Sequence, residues 1–179
     1  PGGKSFTLAE HMNNCGELVA TDLYPSKIGL IRDGAGRLGL SCIHAQAGDA
    51  AECDEALGNF DKICCDVPCS GLGIIRRKPE IRYKNVAILD NLAEMQYRIL
   101  CNNAQRLRPG GRLVYSTCTV DPAENQRVVR AFLAAQPGFR TVPPYCTPSG
   151  ALEEDHMLTL LPGFCGPDGF FIAALERSV

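Results

Sequence analysis

Short apolar runs alternate along the chain with stretches in which apolar residues recur at helical spacing. The short runs predict strands at 17–21, 41–45, 62–65, 112–116, 157–160 and 169–175. Helical spacing predicts helices over 25–38, 86–107 and 122–135, and a further helix-like stretch near the N-terminus. Strands that alternate with helices indicate an α/β fold with a mostly parallel sheet and helices on both faces. No repeat or long linker interrupts the pattern, so residues 1–179 are interpreted as a single domain.

Capping signals predict where two of these helices end and begin. Pro109-Gly110-Gly111 ends the second helix. Asp121 can cap the third helix, Pro122 suits its first position, and Glu124 completes a capping box. The residues of this helix that we expect to face inward are Val128, Val129 and Phe132.

Composition excludes several classes of protein. Hydrophobic residues make up 45% of the 179 residues, which is enough for a packed core and too many for a disordered chain. The apolar runs are too short to span a membrane, and no secretory signal is visible. We therefore expect a soluble, cytoplasmic protein that does not associate with membranes.

Ten cysteines are many for this length, but their spacing is not typical of a zinc site or a disulfide scaffold. There is no repeated Cys-x-x-Cys, and none of the three histidines lies near a cysteine pair. We expect no metal. The cysteines expected to be free thiols without a catalytic role are Cys15, Cys42, Cys53, Cys64, Cys65, Cys101, Cys146 and Cys165.

Charge is distributed unevenly. The whole chain carries −2, yet residues 76–84 hold five basic residues and one acidic residue. Such a patch can contact phosphates, and the alternative is an ordinary solvated loop. The candidates for contact with a nucleic acid are Arg76, Arg77 and Lys78.

Three acidic residues share one topological position, because Asp22, Asp49 and Asp66 each follow the end of a predicted strand. Ligands of open α/β sheets bind at that edge. An aspartate there can accept hydrogen bonds from ribose hydroxyls or an adenine amino group, although a single one could equally be a loop or cap residue. The three together favour a nucleoside site without distinguishing NAD from S-adenosylmethionine.

Two further motifs carry chemistry. Pro1-Gly2-Gly3-Lys4 precedes a helix-like stretch, and a glycine turn there suits a carboxylate or phosphate, although the signal is weak. Cys69 and Cys118 each follow a predicted strand, so neighbouring strand ends could bring the two thiols together. A helix that starts soon after Cys118 would favour its thiolate. The alternative for either cysteine alone is a small buried hydrophobe.

Methylation at carbon 5 of cytosine needs a cysteine, an acid and a second group that can act as a base, and all three types occur here. Carbon 5 is too electron-poor to attack a methyl sulfonium until a thiolate adds to carbon 6. An acid at ring N3 stabilises the adduct, and a base must then remove the carbon 5 proton so that the thiol can leave.

Matching motifs extend over essentially the whole chain, and the two cysteine motifs are specific at this spacing. The set is Pro1-Gly2-Gly3-Lys4, Asp22, Gly48-Asp49, Asp66-Val67-Pro68-Cys69-Ser70-Gly71, Gly73, residues 76–81, Gly110-Gly111, Tyr115-Ser116-Thr117-Cys118-Thr119, Glu124-Asn125 and Asp168-Gly169-Phe170-Phe171. With this set the chain resembles the NOL/NOP/Sun family of RNA cytosine-5 methyltransferases, in particular its bacterial members that act on small-subunit ribosomal RNA.

The resemblance implies a Rossmann-like methyltransferase fold, S-adenosylmethionine as cofactor, and an RNA substrate, with ribosomal RNA favoured and transfer RNA left open. Cys118 would be the nucleophile, Cys69 would assist product release, and Asp66 would lie between cofactor and base. The segment 76–79 would lie along the RNA. The implied cofactor-binding residues are Pro1, Gly2, Gly3, Lys4, Asp22, Asp49 and Asp66.

One departure from the family bears on the isolated chain. The family has a central strand before its Pro-Gly-Gly-Lys motif and an N-terminal RNA-binding domain, whereas this sequence begins at Pro1. We therefore expect a truncated catalytic domain with that first central strand missing. We also expect mobile residues 1–12, poor cofactor binding, and self-association through exposed sheet edges.

Three rival functions stay open. A DNA cytosine-5 methyltransferase would use the cysteine of the Pro-Cys motif, Cys69, as nucleophile, and the Thr-Cys-Thr motif argues against this. A non-catalytic RNA-binding or assembly module with a methyltransferase fold would fail to bind the cofactor. A Rossmann dehydrogenase is disfavoured because no Gly-x-Gly-x-x-Gly follows a strand.

Overall fold

The computed structural model describes residues 1–52, 57–83, 91–163 and 168–179. The chain divides into two compact units, Pro1–Asp54 and Glu55–Val179. The first unit contains a two-stranded sheet and the second a six-stranded sheet. The interpretation of 1–179 as one domain stays a prediction.

The N-terminal unit is built from two helices and two parallel strands. In chain order these are α1 (Gly3–His11), β1 (Leu18–Asp22), α2 (Pro25–Leu38) and β2 (Ile43–Ala47). The predicted bounds of α2 are confirmed, because Pro25 occupies its first turn and Gly39 ends it in the left-handed conformation at φ 69°. β2 begins two residues later than the predicted start at Ser41.

The sequence predicts that residues 1–12 are mobile or displaced, and their mobility stays a prediction. α1 is formed, and Ala9 is fully buried in a cluster with Ala35, Leu40 and Cys42. The Phe6 ring lies so close to two glycines that a Cβ at either Gly2 or Gly34 would stand 2.5 Å from it. The first helix is therefore anchored by its own side chains.

Among its described residues, the second unit contains six strands, two α-helices and two short 3₁₀ turns, Leu72–Ile74 and Pro79–Tyr83. The α-helices are α3 (Leu92–Gln105) and α4 (Gln126–Ala135). The strands are β3 (Phe60–Asp66), β4 (Leu107–Thr117), β5 (Phe139–Thr141), β6 (Leu152–Glu154), β7 (Met157–Leu160) and β8 (Phe170–Arg177).

The larger sheet is mixed, with the order β3-β4-β8-β7-β6 and with β5 also paired to β8. Only β3 and β4 run parallel there among the described strands, so the prediction of a mostly parallel sheet is wrong for this unit. A parallel connection needs a crossover of about a dozen residues or more, usually with a helix. The connection from β7 to β8 is shorter and pairs them antiparallel.

Two predicted boundaries differ for identifiable reasons. β4 begins at Leu107 instead of at the predicted residue 112. Pro109 and Gly110 lie in an irregular stretch of this strand, with Gly110 at φ 74°, so the sequence pattern indicates a strand only after them. The helix predicted from residue 86 is described from Leu92, and residues 84–90 lie outside the described part.

The predicted capping box at the start of α4 is wrong. The helix begins at Gln126 instead of Pro122, and its N-cap residue Asn125 makes no side-chain cap hydrogen bond. Asp121 accepts the N–H of Ala123 in a local turn, and the carboxylate of Glu124 bonds elsewhere. The inward positions of α4 are confirmed, because Val128, Val129 and Phe132 are buried.

The described residues give three further facts. They contain no helix long and apolar enough to cross a membrane. No group of side chains among them could hold a metal ion. The described cysteines are free thiols, and Cys53 and Cys165 lie outside the described residues.

Candidate active site

Two thiols meet at the carboxyl ends of β3 and β4. The strands run parallel with Asp66 opposite Ser116, and the loops that follow bring the Sγ atoms of Cys69 and Cys118 to 3.2 Å. The backbone N–H of Cys118 also donates to Sγ of Cys69 at 3.3 Å. The prediction that neighbouring strand ends bring these cysteines together is confirmed.

The two thiols are electrostatically coupled. A hydrogen bond with Cys118, then burial, then the negative charge of Cys118 raise the pKa of the Cys69 thiol far above its ordinary value. This proximity favours the protonated form of Cys69, and the thiolate expected at Cys118 rests on the sequence argument of a helix that starts soon after it. The helix argument for that thiolate loses its basis, because α4 begins only at Gln126.

The loop around Cys69 is held from a buried carboxylate. Oε2 of Glu124 accepts the backbone N–H of Ser70 at 2.9 Å and Nε2 of Gln96 at 2.8 Å. The same Gln96 nitrogen donates to the carbonyl of Pro68 at 2.9 Å. Both residues that flank Cys69 are thus fixed, and Gln96, Ser70 and Glu124 are all buried.

The loop around Cys118 is held by Asn125, the residue that follows Glu124 in the chain. The hydroxyl of Thr117 donates to Oδ1 of Asn125 at 2.6 Å, and Nδ2 of Asn125 donates to the carbonyl of Thr119 at 3.0 Å. A hydrogen bond of 2.7 Å from Oγ of Ser70 to Oγ1 of Thr119 connects the two loops directly. Thr117, Thr119 and Asn125 are buried.

Asp66 lies at the exposed end of β3, where Oγ of Ser116 donates to its Oδ1 at 3.1 Å. The residue is therefore oriented from the neighbouring strand. Its place next to the cysteine loops agrees with the position that the sequence predicted.

Two glycines, Gly73 and Gly169, approach each other closely beside Cys118, and Gly73 is hydrogen-bonded to the Cys118 backbone. Gly73 donates its N–H to the carbonyl of Cys118 at 3.0 Å, and Gly169 donates to the carbonyl of Gly73 at 2.7 Å. A Cβ at Gly73 would stand 2.2 Å from the carbonyl oxygen of Gly169. Only glycine fits at this approach.

The basic segment follows this close approach directly. Arg76, Arg77 and Lys78 are exposed, as binding to a phosphate requires. Nε of Arg77 lies 2.9 Å from Oδ2 of Asp168, so this arginine also has a structural partner. Lys84, the last residue of the predicted patch, lies outside the described residues.

Within the N-terminal unit, acidic residues follow both strands as predicted. Asp22 ends β1, and Gly48 donates its N–H to the carbonyl of Asp22 just before Asp49. The carboxylate of Asp22 accepts the N–H of Tyr24 at 3.0 Å and lies 3.1 Å from Nζ of Lys27. Although burial acts in the opposite direction, these two contacts hold the pKa of Asp22 below its usual value.

The residues of this unit fit the chemistry of S-adenosylmethionine. Gly2 takes the left-handed conformation at φ 92° directly before α1, and the first turn of α1 has no acidic residue. The N-terminus of that helix suits the carboxylate of an amino acid. Lys4 is exposed on the same turn, and Asp22 and Asp49 supply acceptors suited to a nucleoside.

Sequence reasoning missed the residues that hold the cysteine loops. Gln96 lies within the predicted helix over 86–107, and its signal is a polar residue among apolar neighbours. Glu124 was assigned to a helix cap, and Asn125 was noted only within a motif. Nothing local distinguishes them, because their partners are 28 to 54 residues away for Glu124 and six to eight away for Asn125.

The α/β fold is that of the Rossmann-like S-adenosylmethionine-dependent methyltransferases. Residues 1–176 match the model of the family described as 16S rRNA methyltransferase RsmB/F. The chain belongs to this family.

Individual relatives agree with that membership. The chain is 42% identical to a probable ribosomal RNA small subunit methyltransferase B of Bacillus subtilis, covering 99% of this chain and 41% of that protein. It is 32% identical to ribosomal RNA small subunit methyltransferase F of Klebsiella pneumoniae, covering 99% and 39%. The chain thus spans about two fifths of the length of the curated relatives it matches.

A solved structure shows the same fold. NSun6 from Pyrococcus horikoshii, solved with SFG, superposes with a TM-score of 0.87 at 27% identity. The match covers 100% of this chain and 46% of that one.

Proposed function

We propose that this chain carries the catalytic centre of an S-adenosylmethionine-dependent RNA methyltransferase that modifies carbon 5 of cytosine in ribosomal RNA. Cys118 is the nucleophile and adds to carbon 6 of the base. The single observation that carries the proposal is the 3.2 Å separation of the Cys69 and Cys118 sulfurs at the ends of adjacent parallel strands.

The coupled thiols support an ordered sequence of proton movements. The Cys118 thiolate forms a carbon–sulfur bond at carbon 6, and carbon 5 becomes nucleophilic. That bond removes the negative charge of Cys118, which is one cause of the raised pKa of Cys69. Cys69 can then lose its proton to solvent, and its thiolate accepts the proton of carbon 5 once that carbon carries the methyl group. The electron pair of the broken carbon–hydrogen bond re-forms the double bond between carbons 5 and 6. The carbon–sulfur bond breaks, and the thiolate of Cys118 returns.

The remaining roles belong to Asp66 and the N-terminal unit. Asp66 ends β3 beside the cysteine loops, and its carboxyl group forms a hydrogen bond with ring N3 of the cytosine. S-adenosylmethionine supplies an electrophilic methyl group on a sulfonium. We assign its amino-acid part to the turn of Pro1, Gly2, Gly3 and Lys4, and its ribose and adenine to Asp22 and Asp49.

The basic segment and the family support RNA as the substrate. Arg76, Arg77 and Lys78 are exposed in the turns that follow the loop containing Cys69. Backbone phosphates bind such residues without regard to sequence. The curated relatives named above are ribosomal RNA methyltransferases, which favours ribosomal RNA over transfer RNA.

The test is methyl transfer from labelled S-adenosylmethionine to ribosomal RNA, transfer RNA and DNA, with cytosine and with 5-fluorocytosine. Fluorine at carbon 5 cannot leave as a proton, so the covalent adduct is trapped on the enzyme. We expect Cys118→Ala to abolish both transfer and trapping. Cys69→Ala should slow turnover and accumulate adduct on ordinary RNA.

The matched control is Cys146→Ala, which removes an exposed thiol outside the site and should leave transfer unchanged. Transfer at the parental rate by Cys118→Ala would refute the assignment. Trapping that is lost only in Cys69→Ala would instead indicate the DNA methyltransferase arrangement. A version extended at the N-terminus that binds RNA but no S-adenosylmethionine in calorimetry would be a binding module.

A further inference from the structure

Glu124 and Asn125 are adjacent in the chain, yet their side chains reach two different loops. Glu124 bonds the residue after Cys69, and Asn125 bonds the residues on both sides of Cys118. We propose that this dipeptide is a single positioning element that sets the separation of the Cys69 and Cys118 sulfurs. The inference rests on the proposed function for its catalytic consequence and on hydrogen bonds alone for its geometry.

The contacts of Glu124 fix the Cys69 loop at two points. One carboxylate oxygen accepts both the N–H of Ser70 and the amide of Gln96, and Gln96 passes the restraint to the carbonyl of Pro68. The backbone of Glu124 is itself fixed, because the hydroxyl of Tyr115 donates to its carbonyl at 2.6 Å. Tyr115 lies in the sheet and is fully buried, so the carboxylate is tied to the sheet.

The contacts of Asn125 fix the Cys118 loop in the same way. Its amide accepts from Thr117 and donates to Thr119, so both sides of the amide are used. Asn125 and Thr117 are fully buried, where hydrogen bonds cannot be replaced by water without cost.

Because a peptide bond joins Glu124 and Asn125, the two cysteine loops that they hold are kept at one distance from each other. Consecutive Cα atoms across a trans peptide are about 3.8 Å apart. A loop bonded to Glu124 and a loop bonded to Asn125 therefore cannot separate independently of each other. The hydrogen bond from Ser70 to Thr119 closes the arrangement from the other side.

This separation matters because the thiols act in succession on one base. Cys118 must reach carbon 6 while Cys69 reaches the proton on carbon 5 of the same ring. A displacement of about 1 Å at a reacting group can lower a rate about 100-fold. Neither Glu124 nor Asn125 needs to contact the base for this effect.

The test uses the complete chain and reads the thiol pair without RNA or cofactor. Each variant is equilibrated with oxidised and reduced glutathione, and the Cys69–Cys118 disulfide is quantified by mass spectrometry of tryptic peptides. We expect Glu124→Ala and Asn125→Ala to lower the equilibrium constant for this disulfide about tenfold, because the effective concentration of one thiol near the other falls. In parallel, kcat should fall about 100-fold with unchanged KM for RNA.

Conservative variants separate positioning from a general loss of stability. Glu124→Gln keeps an oxygen acceptor for Ser70 and Gln96, and Thr117→Ser keeps the hydroxyl that donates to Asn125, so both should retain parental pairing. Thr117→Val removes only that hydroxyl and should reproduce the defect of Asn125→Ala. The matched control is Thr159→Val, which removes a buried hydroxyl that accepts from Gln126 in the first turn of α4.

The outcomes distinguish this inference from the proposed function. Parental disulfide formation in folded Glu124→Ala and Thr117→Val would overturn the positioning role, whatever happens to catalysis. An altered thiol equilibrium, in a protein whose Cys118→Ala variant still methylates, would overturn the proposed nucleophile and leave the positioning element standing. If the alanine variants do not fold, the disulfide equilibrium of Thr117→Val is compared with that of Thr117→Ser, and equal values would overturn the positioning role.

Discussion

Nε of Arg77 lies 2.9 Å from Oδ2 of Asp168 and joins the basic segment to the residue two positions before β8. The two side chains differ in exposure, at 67% for Arg77 and 9% for Asp168. Oδ1 of Asp168 is buried and has no hydrogen-bond partner among the described residues. Arg77 was expected only to contact RNA, and the structure gives it a second role in holding this segment in place.

Arg77→Ala should destabilise the protein measurably. An exposed ion pair contributes only about 0.2–1 kcal/mol, but removal of one partner of a buried carboxylate costs about 1–3 kcal/mol. Because only Asp168 is nearly buried, we expect the free energy of unfolding to fall by about 1–2 kcal/mol. Thermal unfolding should shift down by about 2–4 °C per kcal/mol for a chain of this size.

The control for this prediction is Lys78→Ala, which removes one positive charge from the same segment and should leave the midpoint within about 1 °C, since surface substitutions seldom matter. Equal melting temperatures for the two variants would show that the ion pair with Asp168 does not stabilise the fold.

Arg76 and Lys78 test the RNA surface. We expect Arg76→Ala and Lys78→Ala each to weaken RNA binding and to reduce the slope of log affinity against log salt by nearly one unit, because each variant neutralises one phosphate fewer. The measurement is fluorescence anisotropy with labelled RNA over a range of salt concentrations. Arg37→Ala, an equal charge change on an exposed position in the last turn of α2, is the control. Slopes that match the parent would remove the segment from the RNA surface.

Local pattern was enough to predict most elements. α2 and β7 have the predicted bounds, and the strands that precede Asp22 and Asp66 end where the sequence indicated. Strand direction was not predictable in the same way, because it depends on which distant strand each one pairs with. The antiparallel position of β8 beside β4 leaves no trace in either segment alone.

The site was predictable as far as chemistry belongs to individual residues. Cys69 and Cys118 could be placed at strand ends because each follows an apolar run. The role of Glu124 could not be read from its neighbours, since a glutamate after Asp121 and Pro122 is equally typical of a helix cap. Its partners come from a loop and a helix far away in the sequence, and only the folded chain brings them together.

Asp22 should contribute to cofactor binding despite its ion pair with Lys27. That pair is partly exposed, at 42% for Lys27 and 25% for Asp22, so it competes only weakly with a ligand. Charge-assisted bonds to ribose hydroxyls contribute about 1.5–3 kcal/mol each, so Asp22→Ala should raise the dissociation constant of S-adenosylmethionine about 10- to 100-fold. Calorimetry measures this directly.

The control for Asp22 is Asp33→Ala, which removes the same charge from an exposed position on α2 and should bind the cofactor like the parent. Lys27→Met should bind as tightly as the parent or tighter, because the carboxylate loses a competitor. A dissociation constant that does not change in Asp22→Ala argues that another residue holds the ribose.

The reactivity of Cys69 should depend on Cys118 in a defined direction. The hydrogen bond with Cys118 is the largest cause of the raised pKa of Cys69, followed by burial and by the charge of Cys118. Cys118→Ala removes the first and third causes, so the pKa of Cys69 should fall. Thiolates alkylate and thiols do not. The pH profile for alkylation of Cys69 by iodoacetamide should therefore move to lower pH in Cys118→Ala, by at least about one unit.

Tryptic peptides report this together with an internal control, because Cys65 is on the same peptide and its pKa is raised by burial and then by Cys64, independently of Cys118. A Cys69 profile that stays in place, or moves together with that of Cys65, would mean that the two sulfurs are not coupled.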